Sequence, residues 1–252
     1  GAAFVAYRVC AQVHGVEYRE PPLDREHLEA ELDAMLKLCD DHTRIVFLPN
    51  PNNPTGAYVN REVLRKFLTK LSAQFPQMLT VLDYAYWEYV TAHDLPDPME
   101  IYREFPNIVV TRTFSKIYGL AGLRVGYGIG HPDLLAPMRK VKMPFNVSNL
   151  SLQGAMAALD DTAHVKRSFE ANAKGKEYLE KEFSRLGIDF WPSQGNFLLA
   201  KFQDPKKTYD DLLRAGVIVR PVAGYGLREH LRISIGSHAE NERLVRSLEK
   251  LL

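Results

Sequence analysis

Apolar and β-branched residues recur along this 252-residue chain in short runs, separated by stretches with helical periodicity. Residues 16–18, 44–48, 79–82, 108–111 and 125–129 read as strands, rich in Val, Ile and Leu. Between them the spacing predicts helices over about 24–38, 60–74 and 97–104, the first opened by Asp24 as an N-cap. The opening stretch, GAAFVAYRVCAQVHG, places Phe4, Val5, Val9 and Val13 at helical spacing, so a helix begins with almost no lead-in. Continuous apolar strands joined by helices imply an α/β fold with a mainly parallel sheet. From Pro132 to Arg185 the pattern is helical, with one long helix from about Thr162. A βαβ-like tail follows: strands at 195–202, 217–219 and 231–235, a helix near 207–215 and a closing helix from His238. The change of pattern near 150–165 divides the chain into a large unit, residues 1–150, and a smaller α+β unit, residues 151–252.

Composition narrows the picture mainly by exclusion. A hydrophobic content of 46% with 25% charged residues suits a globular chain with a sizeable core. The 32 basic residues against 31 acidic ones leave a net charge of +1, which gives no reason to expect nucleic acid or an anionic membrane as partner. No apolar run approaches the ~18 residues of a membrane span, and no secretory signal is visible, so the expected location is the cytoplasm. Cys10 and Cys39 lack a partner motif and read as buried free thiols. The eight histidines show no metal-ligand spacing, and no metal is expected. GYGIG at 126–130 falls on a strand and lacks the GxGxxG spacing of a dinucleotide site.

Chemistry-bearing residues collect at the ends of the predicted strands, where ligands gather in open α/β sheets. The stretches are PNPNNPTG (49–56), LDYAY (82–86), TRTFSKIYGLAGLR (111–124) and LRIS (231–234). Each alone is weak: a turn signal, a helix cap, a loop lysine, a surface arginine. Together they fit one ligand. Lys116 can form a Schiff base with an aldehyde if its surroundings hold the amine neutral. Thr113, Ser115 and Arg124 are donors suited to a phosphate dianion. Asp83 would keep a pyridine nitrogen protonated, which makes pyridoxal phosphate an electron sink. Asn53 and Tyr86 can donate to its ring oxygen, and Phe4 offers a stacking face.

The order of these motifs, and the intervals from Asn53 to Asp83 to Lys116 to Arg232, resemble the fold-type I aminotransferases. Within them YRVCAQVHGVEY, RTFSKIYGLAGLRVGYG, KMPFNVSNL, SQGNFLLAKF and VIVRPVAGYGLREHLRISIG look like the histidinol-phosphate aminotransferases. The resemblance implies a pyridoxal-phosphate enzyme of histidine biosynthesis acting on histidinol phosphate and 2-oxoglutarate. It implies that Lys116 carries the cofactor, Asp83 pairs with its ring nitrogen, and Arg232 takes the substrate's anionic group. Arg220 would help to hold the substrate phosphate, and Asn196 would lie near the substrate. A homodimer is implied as well. Related readings are an aromatic aminotransferase, a phospho-amino-acid decarboxylase or a pyridoxal-phosphate-binding domain without turnover.

Two departures stand out. Tyr84 follows Asp83 where the family usually has Glu, and Phe4 stands where it usually has Tyr. The family also has a segment ahead of the position of Phe4, with a phosphate-binding loop, the first strands of the sheet and a tyrosine that reaches the partner's site. The expectation is that this sequence covers part of a longer protein.

Overall fold

The computed structural model describes residues 2–251 except Arg25 and Glu29. Apolar runs become interior strands when both faces of their sheet are covered, and the centre of the first sheet follows that rule. β1 (Ile45–Pro49) pairs parallel with β2 (Leu79–Asp83), and β2 pairs parallel with β3 (Ile108–Thr113). β4 (Gly126–Gly130) pairs antiparallel with β3 and completes the order β1-β2-β3-β4.

The helices of this half are α1 (Val5–Val13), α2 (Leu32–Lys37), α3 (Arg61–Gln74) and α4 (Pro98–Glu104). Asn60 caps α3 by accepting from the Val63 amide, and Leu64, Phe67, Leu68 and Leu71 bury one face at i, i+3, i+4, i+7. Asp97 caps α4 in the same way, with Pro98 in the first turn and Ile101 buried. The register Pro49↔Asp83 and Asp83↔Thr111 brings three strand ends to one level.

Three helices lead onward, α5 (Pro132–Val141), α6 (Asn149–Asp160) and α7 (Thr162–Arg185). The second sheet holds β5 (Phe190–Trp191), β6 (Phe197–Lys201), β7 (Arg220–Pro221) and β8 (His230–Ser234) in the order β5-β6-β8-β7, every pair antiparallel. Because β6 and β7 both oppose β8, they run parallel to each other, and α8 (Pro205–Arg214) makes the crossover. α9 (His238–Leu248) opens with a capping box between Ser237 and Glu240. Leu179 and Phe183 of α7 enter the core of this sheet with Leu198, Leu212, Ile233 and Leu244. The earlier part of α7 packs elsewhere: Val165 and Phe169 sit on Tyr86, Ile117 and Phe197.

Several expectations need correction. Residues 16–18 are extended but join no strand ladder; they line a cavity of about 570 Å³ beside the outer edge of β1. The helix expected over 24–38 is confined to Leu32–Lys37, because Leu28 takes a left-handed φ of 55° and a bridge pairs Leu23 with Ala30. Asp24 accepts from the Glu26 amide in a turn and does not cap that helix; residues 25 and 29 of that stretch lie outside the described residues. The strand at 217–219 is displaced to Arg220–Pro221, since the amide of Val217 still bonds the Leu212 carbonyl in the C-cap of α8. β4 runs antiparallel because the chain reverses through a 3-10 turn at Ala121–Leu123. Cys10 is exposed, not buried, because it shares the side of α1 that carries Tyr7 but lies where that side borders the cavity beside β1; Cys39, half-buried, lines the same cavity.

Gly56 marks where the two halves touch most closely. Its φ is +78°, and a Cβ built there would lie 2.2 Å from Ser193 Oγ. Gly56→Ala should therefore combine left-handed strain with overpacking and destabilise the fold by about 1–3 kcal/mol. A urea midpoint shifted downward at unchanged slope is the expected result, and an unshifted midpoint would refute the close approach.

Candidate active site

The aligned ends of β1, β2 and β3 deliver the predicted side chains to one cleft. Phe4, Asn53, Asp83, Tyr86 and Lys116 all line it, together with Tyr7. Asp83 ends β2, and each of its carboxylate oxygens finds a donor. Tyr7 Oη donates to Oδ2 at 2.7 Å, and the Ala85 amide donates to Oδ1 at 3.1 Å. Burial pushes the Asp83 pKa above the usual carboxylate value, while these hydrogen bonds, one to Thr111 and the charge of Lys116 pull it back. Among the described residues Asp83 has no ion-pair partner.

Lys116 follows β3 in a tight turn, with the Ser115 amide bonded to Thr113 Oγ1 at 3.1 Å and the Gly119 amide to the Lys116 carbonyl at 2.9 Å. Its Nζ lies 5.2 Å from the centroid of the Tyr86 ring. The Lys116 pKa is lowered, first by burial and then by the like charge of Arg232, against the opposing pull of Asp83. That combination frees the amine to act as a nucleophile or base. The Tyr86 hydroxyl is pushed up to about 12, mainly by burial, and so remains a neutral donor.

Arg232 on β8 reaches across from the second sheet. Its Nη1 donates to Asn53 Oδ1 at 2.6 Å, and its Cζ lies 5.0 Å from the centroid of the Phe197 ring. Phe197 in turn meets Tyr86 edge to face at 5.3 Å. Arg232 Nε is buried with no hydrogen-bond partner. Such orphaned donors are uncommon in folded proteins.

The remaining predicted residues stand at varied distances from this centre. Arg124 Nη1 donates to Ser115 Oγ at 3.3 Å and to the Ala121 carbonyl at 3.0 Å, from a left-handed backbone with φ 50°. Thr113, Ser115 and Arg124 thus form one group on the rim, joined to Lys116 by its turn. Phe4 lies edge-on to Tyr7 at 5.9 Å and is 40% exposed. Asn196 is half-buried, and its carbonyl accepts from the Ile235 amide. Arg220 is exposed and is paired directly with Arg232 across the β7–β8 ladder, outside the cleft lining.

Sequence reasoning missed Tyr7. The signal was present, since Tyr7 is three residues after Phe4 and so shares its side of the chain on entering α1. Its ring stacks on Phe47 of β1 at 4.8 Å and 16°, which aims the hydroxyl at Asp83. It also missed Arg112 and Glu88, a mostly buried ion pair at 2.7 Å that ties β3 to the turn following Tyr86.

These electrostatics carry a sign that can be measured. A lowered pKa means that the Lys116 amine becomes neutral, and reactive, at lower pH than an ordinary lysine. Arg232→Gln removes a like charge and should move the midpoint of Lys116 modification by an amine-reactive aldehyde to higher pH. Asp83→Asn removes an opposite charge and should move it lower. Peptide mass mapping across a pH series reads both shifts, and coincident midpoints in all three proteins would overturn the assignment.

Comparison with known proteins extends these observations. The family model for aminotransferase class I and II matches residues 2–248. A histidinol-phosphate aminotransferase from Nitrosococcus oceani is 43% identical over 250 residues, covering 99% of this chain and 66% of that protein. One from Pseudomonas fluorescens is 45% identical over 251 residues, again with 99% and 66% coverage. The chain thus spans about two thirds of the length of these relatives. Among solved structures, a histidinol-phosphate aminotransferase from Sinorhizobium meliloti in complex with pyridoxal-5'-phosphate superposes with a TM-score of 0.88 at 26% identity, covering 100% of this chain and 70% of that one. A cleft built from the strand ends of an α/β sheet, with its aspartate, lysine and arginine in this order, and a family match over nearly the whole chain agree: the chain belongs to the class I and II aminotransferase family.

Proposed function

We propose that this chain transfers an amino group between histidinol phosphate and 2-oxoglutarate with pyridoxal phosphate as cofactor. The observation that carries the reading is the pairing of a buried carboxylate lacking a cation with an amine whose pKa is lowered in the same cleft. Asp83 suits a protonated ring nitrogen, and Lys116 suits an aldehyde, so the donor set fits this group. When bound, the cofactor supplies an aldehyde that links to amines and a ring that withdraws electrons from the adjacent carbon.

The chain's own residues would do the rest. Asp83, supported by Tyr7, would hold the positive ring nitrogen. Asn53 and Tyr86 would donate to the ring oxygen, and Phe4 would cover a ring face. Thr113, Ser115 and Arg124 would take the cofactor phosphate. Lys116 would hold the cofactor, then take the proton from the substrate's α-carbon and return it. Arg232 has a donor without a partner and would take a substrate anion. Arg220, opposite it on the next strand, would add a second guanidinium fork for a phosphate, and Asn196 would lie beside the substrate. Residues 1–150 would form the cofactor-binding domain and residues 151–252 the smaller domain.

A homodimer in the cytoplasm completes the proposal. It is supported by an apolar surface along α5, α6 and their connection, where Val141 is 81% and Leu150 77% exposed. No helix among the described residues is long and apolar enough to cross a membrane.

The two arginines provide the test. Arg232→Ala should weaken the half-saturation of both half-reactions by about 10–100-fold, as the loss of a charge-assisted hydrogen bond implies. Arg220→Ala should weaken use of histidinol phosphate more than use of glutamate. Stopped-flow measurement of each half-reaction separates these effects. Equal, small losses in Arg220→Ala would point to an aminotransferase with a different preferred amine.

A further inference from the structure

One residue outside the cleft fastens two loops of the first sheet, one through its side chain and one through its main chain. Gln194 lies in the loop before β6, two residues ahead of Asn196. Its Oε1 accepts from the Thr91 amide at 2.8 Å, the Thr91 hydroxyl at 3.1 Å and the Ala92 amide at 3.3 Å. Its main-chain N–H donates to the Gly56 carbonyl at 2.9 Å. Thr91 and Ala92 close the segment that begins with Asp83 and Tyr86, and Gly56 closes the loop that carries Asn53. A single residue therefore bonds both loops of the first sheet that face the cleft.

The loop around Gln194 is held from its other side as well. Lys176 Nζ donates to the Ser193 carbonyl at 3.0 Å, and Asn172 Nδ2 donates to the Gly195 carbonyl at 3.4 Å, both from α7. The Gly195 amide is satisfied by Ser193 Oγ at 3.1 Å. Ser193 itself abuts Gly56, where a Cβ would collide. Small movements of Gln194 relative to this frame are thus blocked by packing below and hydrogen bonds above. The chain then runs straight into Asn196 and into Phe197, on whose ring the Arg232 guanidinium rests.

At the cleft itself Arg232 makes a side-chain hydrogen bond between the two sheets, to Asn53. A substrate anion would draw on the same guanidinium and weaken that link when it is most needed. The Gln194 contacts involve no group assigned to substrate or cofactor. We infer that Gln194 is a positioning residue, a latch that keeps Asn196 and Arg232 in register with Asn53 and Tyr86 while Arg232 exchanges Asn53 for the substrate anion. The last part of this inference rests on the proposed transamination; the latch itself does not.

Among side-chain atoms the acceptor oxygen carries the role, since Gln194 Nε2 makes no hydrogen bond among the described residues and the main-chain bond to Gly56 is untouched by substitution. This dictates the variants. Gln194→Glu keeps an acceptor at the same reach, and Gln194→Ala removes it. In the cofactor-loaded protein, Gln194→Ala should speed amide exchange of Thr91 and Ala92 about five- to tenfold, as loss of one ordinary hydrogen bond implies. Half-saturation of both half-reactions should rise by a similar factor, because substrate must now order the site it binds. The rate at saturation and the affinity for pyridoxal phosphate should stay unchanged, and Gln194→Glu should restore exchange and half-saturation together. Faster exchange in Gln194→Ala with unaltered half-saturation would reduce Gln194 to a loop staple and overturn the inference. Equal damage in both variants would overturn it too. A parent protein that transfers no amine would refute the proposed activity, and the exchange of Thr91 and Ala92 would still decide whether the latch exists.

Discussion

The structure turns on a carboxylate placed where solvent is scarce. Burial raises the Asp83 pKa, toward a neutral acid that would have no hold on a cationic ring. The fold opposes this with fixed donors: the Tyr7 hydroxyl and the Ala85 amide each satisfy one oxygen. Both are set by ordinary packing. Tyr7 is aimed by its stack on Phe47, and Ala85 by the turn that ends β2. Burial and the nearby carboxylate push the Tyr7 pKa upward, so its hydroxyl keeps its proton and can donate it. That hydrogen bond favours the ionised form of Asp83 against the pull of burial.

Much of this arrangement was legible in the sequence, for reasons that can be stated. The apolar runs of β1, β2 and β3 are continuous, with β2 and β3 buried along much of both faces and β1 alternating at the sheet edge, and their limits lie within a residue or two of those predicted. The same parallel topology forces their C-terminal ends together, which is why Asn53, Asp83 and Lys116 could be assembled before any coordinates. The antiparallel second sheet was harder. Its strands are short, β7 has only two residues, and β5 was not anticipated at all. Strands this brief carry no periodicity, and their pairing depends on partners far along the chain.

What the sequence hid was contact between distant positions. Tyr7 and Asp83 are 76 residues apart, Gln194 and Thr91 are 103 apart, and Asn53 and Arg232 are 179 apart. Each is a polar residue of unremarkable type in an unremarkable local pattern. Only the motif-bearing members of these pairs announced themselves, since phosphate and amine chemistry demands particular residues at particular spacings. Residues that merely steady them are free to vary in type and leave no such mark. The exposed Cys10 shows the same limit from the other side, because a helical stripe puts it on the side of the buried Tyr7 but does not show that this side borders a cavity there.

The cations of the cleft follow from the same electrostatics. Arg232 depresses the pKa of Lys116, and Arg220 sits directly across the ladder from Arg232. Like charges opposite each other on adjacent strands are destabilising unless something compensates. Arg220 is exposed, so water screens most of its share. Arg232 is less free: its Nη1 has an amide oxygen in place of an anion, and its Nε has nothing. A guanidinium held this way costs stability that packing on Phe197 only partly offsets. An anion entering the cleft would relieve that cost at once, and by quieting Arg232 would let the Lys116 amine take up a proton more readily. Burial lowers the Lys116 pKa most, and Arg232 is the second cause, so an anion beside that guanidinium would offset only the charged part of the shift.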